Sequence, residues 1–114
     1  DAAPWRAIED RRDRLRMGLA AIYAWYERNA GVAGCVLRDA EFHALTREVS
    51  EIRMGPHFAA FHEVLGAKLG ARQRAMLGLA LNFFTWRTLT RDQGLGRNAA
   101  VGAMVQAIEG AGKA

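Results

Sequence analysis

A chain of 114 residues, 51% hydrophobic and 25% charged, makes one folded domain that buries somewhat over half of the surface its unfolded state exposes. Its formal net charge of +4 would suit a nucleic-acid partner, but the basic residues, nearly all arginine, are spread through every segment and interleaved with acids, which argues against nucleic-acid binding by this chain alone. The single cysteine excludes an internal disulfide, and without a basic-then-apolar leader or an apolar run of the roughly 20 residues a bilayer needs, a cytoplasmic home and no membrane contact are expected.

Strand signals are scarce, and the Ala, Leu and Arg content favours helix throughout, so the expected fold is all-α, a bundle of about five helices. Asp1 to Pro4 reads as a lead-in. The chain starts without a methionine, which suggests a piece of a longer polypeptide. A first long helix follows, from about Arg6 or Asp10 to Arg28, with Leu15, Leu19, Ile22 and Tyr26 as its apolar stripe and Tyr23 and Trp25 flanking it. Its opening turns, Glu9 to Arg16, are densely charged with both signs, either a solvated first turn or a surface for docking another domain. Asn29, Ala30 and Gly31 break the pattern before a short helix over Val32 to Ala40. Cys35 in that helix reads as a packed small hydrophobe. A further helix over Phe42 to Met54 rests on Leu45, Val49 and Ile52, and Gly55-Pro56 marks a kink or a restart. The continuation carries Phe58, Phe61, Val64, Leu65 and Leu69, closed by Gly66 and Gly70.

The most apolar stretch, Ala75 to Asp92, reads as a central helix. Met76, Leu77, Ala80, Leu81 and Phe84 cover one half of a helical wheel, and Leu79, Phe83 and Trp86 extend that cover around the other side. The strip left over holds Gly78, Asn82 and Thr85, which would either admit a neighbouring backbone or face a polar cavity. A helix apolar nearly all round must be covered on more than one side. Arg87 and Arg91 favour its C-terminal dipole, and Gly94 is placed to cap it. Asn98 is a plausible N-cap for a last helix to about Glu109, with Val101, Met104, Val105 and Ile108 on its apolar face and mostly Ala and Gly on the other.

No serine-centred elbow, phosphate-binding glycine loop, HExxH or cysteine-pair motif is present, so neither catalysis nor a metal or other cofactor is expected. Of the histidines, His57 and His62 would lie about 140° apart on an unbroken helix and have no ligating carboxylate at a telling distance. The aromatics say more. Trp25, Tyr26, Phe58, Phe61, Phe83, Phe84 and Trp86 come from three separate helices and can either fill a core or line a pocket with His62 and Asn82 as its polar groups; spacing does not decide between the two.

The phrases AAIYAWYERN, GVAGCVLRDAE and LGLALNFFTWRTLTRDQGL, followed by a final helix, resemble in that order the C-terminal ligand-binding and dimerisation domain of TetR-type bacterial transcriptional regulators. The resemblance spans nearly the whole chain. It implies a domain whose last two long helices, Ala75 to Arg91 and Asn98 to Ile108, pair with their copies in a four-helix homodimer interface through Leu77, Leu81, Phe84, Thr88, Val101, Met104, Val105 and Ile108. It also implies a pocket for a small, largely apolar effector near Trp25, Cys35, Phe58, Phe61, His62, Asn82 and Phe83. The family's helix-turn-helix domain is absent from this chain, so DNA would be bound only through a segment outside it. A different reading of the same residues is a stand-alone helical protein-interaction module.

Overall fold

The computed structural model describes residues 2–42 and 56–112, with the side chains of 32–42 left aside. Among the described residues the chain is helical with no strand: α1 (Ala3–Arg6), α2 (Arg11–Phe42), α3 (residues 56–65), α4 (Ala71–Leu81), α5 (Phe83–Arg87) and α6 (Arg97–Ala111), with a π-helical turn over Thr88–Asp92 continuing α5. No described helix is long and apolar enough to cross a membrane.

Each boundary has a local cause. Pro4 in the first turn of α1 lacks only an N–H that the helix would leave unused. Asp10 caps α2, its carboxylate accepting from the Asp13 amide at 3.0 Å. The expected break after Arg28 is present as a kink that joins two helical segments of α2: Asn29 leaves helical geometry (φ −117°, ψ 15°) while its side-chain amide donates to the Trp25 carbonyl at 2.8 Å, the acceptor that a regular helix reserves for the residue 29 amide. Pro56 is the first described residue of α3, and the choice between a kink and a restart at Gly55-Pro56 lies outside the described residues. The helix expected over Phe42 to Met54, with Leu45, Val49 and Ile52, lies outside the described residues beyond Phe42, as does the side chain of Cys35.

The expected central helix is corrected in two ways. It begins earlier, at Ala71 behind Gly70, and it breaks at Asn82, whose extended backbone (φ −69°, ψ 131°) ends α4 and starts α5. Asn82 caps the new helix, its side-chain oxygen accepting from the Phe84 amide at 2.8 Å. Two tyrosines of α2 supply the other half of the break. The hydroxyl of Tyr23 donates to the Ala80 carbonyl at 2.6 Å, and that of Tyr26 donates to the Leu81 carbonyl, so the acceptors stranded at the end of α4 are satisfied inside the core. Further on, the Gln93 amide reaches back five residues to the Thr88 carbonyl at 2.9 Å, and Gly94 follows with φ +76°, a left-handed conformation that glycine adopts without a Cβ clash. The last helix starts at Arg97 with Gly96 in the cap position; Asn98 falls inside its first turn.

The core forms where α6 lies against α4 and α2, with α5 on α2. All four stripe residues of α2, Leu15, Leu19, Ile22 and Tyr26, are buried, and so are Val101, Met104, Val105 and Ile108 of α6. Arg11 pairs with Glu109 at 2.9 Å and Arg97 with Glu27 at 3.3 Å; these two ion pairs join the start of α2 to the end of α6 and the turn before the Asn29 kink to the start of α6, so the two helices run antiparallel. Gly18 is the place where α3 comes down onto α2: a Cβ there would stand 2.5 Å from Leu65 Cδ2, and Leu65 is fully buried. The charged opening of α2 is therefore not simply solvated. Arg11 bridges to α6, and Arg14 is buried with its guanidinium Nε donating to the Ile8 carbonyl at 2.9 Å.

Candidate functional site: an aromatic groove between the first and third helices

The two turns of α2 before the Asn29 kink present Ala21, Ile22, Trp25 and Arg28 along one side, in the i, i+1, i+4, i+7 relation of a single helix face. From α3, His57, Phe58 and Phe61 meet them, and α1 contributes Trp5. Together with an edge of Tyr26 these residues enclose a groove of about 420 Å³, within the range of small-molecule sites. Its rings contact one another at mutually tilted angles: Trp5 and Phe61 have centroids 5.4 Å apart at 47°, and Phe58 meets Phe61 edge-on at 5.9 Å and 84°. Trp25 remains 40% exposed beside it, one of the few large apolar side chains that the described fold does not cover. Among the described residues the groove wall holds no nucleophile beside a base, and no group of three His, Cys, Asp or Glu side chains could hold a metal ion.

Of the residues expected in a pocket, the structure brings together Trp25, Phe58 and Phe61. His62 sits next to the groove residues in sequence but looks the other way, toward α4, where its ring carbon Cε1 is 3.4 Å from where a Gly78 Cβ would be. Asn82 is exposed and occupied in capping α5. Phe83 is a core residue, edge-on to Tyr26 at 5.4 Å and against Trp86 at 5.4 Å. The physical reason for both departures is the break at Asn82, which ends one helix axis and begins another, so that Phe83 turns inward instead of continuing the wheel of α4. Cys35 lies outside the described side chains.

Trp5, Arg28 and His57 are groove residues that the sequence reading left out. His57 was legible, since it stands one turn before Phe61 and shares its face, whereas His62 is a full 100° step away from Phe61. Trp5 gave a weaker signal. A tryptophan directly after a proline near a terminus is costly to leave in water, yet nothing local says what it will pack on.

The residues expected at a two-fold interface are mostly covered by their own chain. Leu77, Leu81, Val101, Met104, Val105 and Ile108 are all buried, Phe84 is partly buried with the Arg87 guanidinium 4.8 Å above its ring, and Thr88 is exposed. Their apolar surface, which on sequence grounds called for a second copy, is met by α2, α4 and α6 packing on one another. On the outside, Leu79 of α4 is 50% exposed, and α6 shows Ala99, Ala103, Gln106 and Gly110.

A second cavity, of about 590 Å³, opens at the π-helical turn between Glu27, Trp86, Arg91 and Arg97. It is polar and crossed by the Arg97–Glu27 ion pair, and the indole N–H of Trp86, buried beside it, makes no hydrogen bond. No protein-family model, curated protein or solved structure matches the chain.

Proposed function

We propose that this chain is the effector-sensing and dimerisation domain of a TetR-type transcriptional regulator, taking a small, largely apolar ligand into the groove between α2 and α3. The order of the AWY, VLRD and TWRTL phrases suggests the family, and the observation that carries the sensing role is the aromatic groove itself: Trp5, Trp25, Phe58 and Phe61 come from three elements and leave space that a core-only arrangement would have closed. The groove also lies where a ligand would act on the rest of the protein. Through Trp5 it abuts α1, which the Arg14 clamp on the Ile8 carbonyl holds to the first turn of α2, and a DNA-binding domain outside this chain would be reached through that end. Filling the groove shifts the position of that end only if the ligand binds one arrangement more tightly than the other.

Dimerisation in this reading uses the outer faces of α4 and α6, with exposed Leu79 and the uncharged Ala99, Ala103 and Gly110 side meeting a second copy, since the inner faces are already spent on the core. The test is to express the full reading frame around this chain and measure operator binding with and without a groove ligand, beside Phe61→Ala. A helix-turn-helix upstream of Asp1, with DNA affinity that changes on ligand addition and no longer does so in Phe61→Ala, is the expected result. A reading frame with no such segment would point to a helical protein-interaction module instead.

A further inference from the structure

The groove is apolar in its walls and positively biased at its edge. Among the described residues its cationic side chains are Arg28 on α2 and His57 on α3, and no carboxylate lines it. Arg28 is exposed and makes no ion pair among the described residues; it shares that with Arg12, Arg16, Arg72 and Arg74, and what sets it apart is its place on the wall of the groove. The nearest acid in the same turn, Glu27, is already engaged by Arg97 on the far side of α2. A guanidinium left unpaired at the edge of a ring-lined groove is complementary to an anion attached to an apolar body, and its fork fits the two oxygens of a carboxylate.

We infer that the groove takes a planar aromatic monocarboxylate, its ring system against Trp5, Trp25 and Phe61 and its carboxylate on Arg28, with His57 as a second donor. The inference rests on the ligand-binding reading of the groove and adds the ligand's chemical class. The planar part follows from the walls, whose rings stand at 47° and 84° to one another and so offer both faces and edges to a flat guest. The monoanion follows from the edge, where one arginine and one histidine suffice for a single carboxylate and offer too little for a doubly charged group.

The probes are 2-naphthoate and its neutral counterpart 2-naphthamide, titrated calorimetrically into the chain at low salt. Expected is a preference of about five- to tenfold for naphthoate, the size of one charge-assisted contact at a partly exposed site. Arg28→Gln lowers naphthoate affinity to that of naphthamide, Arg28→Lys keeps part of the preference, and Arg72→Gln, on the exposed side of α4, leaves it intact. Equal affinity for the two probes in the natural chain overturns the inference while leaving an apolar groove standing. Loss of the preference in Arg72→Gln to the same degree as in Arg28→Gln also overturns it, because net charge alone would then be the cause. If neither probe binds, the groove reading fails together with the inference. Circular dichroism of each variant confirms that Arg28, being exposed, has been changed without loss of the fold.

Discussion

Tyr23 and Tyr26 show how single side chains hold this fold together. Both rings are buried, Tyr26 against Phe83 and Trp86 of α5 and Tyr23 against Tyr26, and both hydroxyls donate to carbonyls of the last turn of α4, so each contributes apolar area and also satisfies a buried main-chain acceptor. Burial pushes both phenols well above the ordinary tyrosine range, and for Tyr26 the neighbouring Tyr23 adds to it. In the unfolded chain they titrate near their usual value of about 10, so below that pH both states hold the proton and the contribution is complete. Above it the unfolded state loses protons that the folded state keeps, and stability falls as pH rises, by up to about 1.4 kcal/mol per pH unit for each tyrosine. Urea unfolding between pH 8 and 11 should show that decline, and Tyr23→Phe or Tyr26→Phe should each flatten it by roughly half. At neutral pH, Tyr26→Phe should cost about 1 to 3 kcal/mol, because the Leu81 carbonyl is left buried without a donor. An unchanged denaturation midpoint would mean that water takes the place of the hydroxyl.

At the scale of an element, the decisive feature is the break at Asn82. Hydrophobic pattern alone reads Ala75 to Asp92 as one helix, because nothing at Asn82 forbids helix: asparagine is a mediocre helix former, and there is no proline or glycine beside it. The break is stable because three partners meet there, the Asn82 side chain capping Phe84 and the two tyrosine hydroxyls donating to the last carbonyls of α4. Two of the three come from a helix more than fifty residues away in sequence, and no local window contains them. Asn82→Ala should therefore cost about 1 kcal/mol through loss of the cap, with Asn82→Gly costing only a few tenths. Thermal unfolding of the pair checks this; equal losses would show that the cap is not what Asn82 contributes. Lys68 offers the opposite change. It holds a left-handed conformation (φ 66°) after α3, and Lys68→Gly should raise stability by about 1 kcal/mol by removing the Cβ clash.

For the whole molecule, the antiparallel contact of α2 with α6 is what turns separate amphipathic helices into one core. Ion pairs at both ends set its direction, and Val101, Val105 and Ile108 fill it with side chains that have almost no contact with water. The outward side of α6 is left small and uncharged. If copies of this chain associate through it, as proposed above, Ala103→Arg should give a monomer by light scattering at micromolar concentration with the unfolding midpoint of the isolated chain within about 0.5 kcal/mol of its original value, since an exposed alanine has no packing to lose. A natural chain that is already monomeric under those conditions would remove the dimer from the proposed function and leave the groove untouched.

Local sequence is enough for the helical class, the apolar stripes of α2 and α6, the interruption near Asn29 and the glycine that ends the π-helical turn. Each of these follows from a period of 3.6 residues or from the backbone limits of one residue type, and both are local. It also put Trp25, Phe58 and Phe61 in one group. Packing between distant helices makes Phe83 core and Asn82 a cap, turns His57 and not His62 to the groove, closes it with Trp5, and covers the inner apolar faces of α4 and α6 within the chain. These outcomes depend on where one helix axis lies relative to another. Periodicity shows which side of a helix must be covered, but the covering element is chosen by packing between residues far apart in the chain, as where Leu65 meets Gly18 or the tyrosine hydroxyls meet the end of α4.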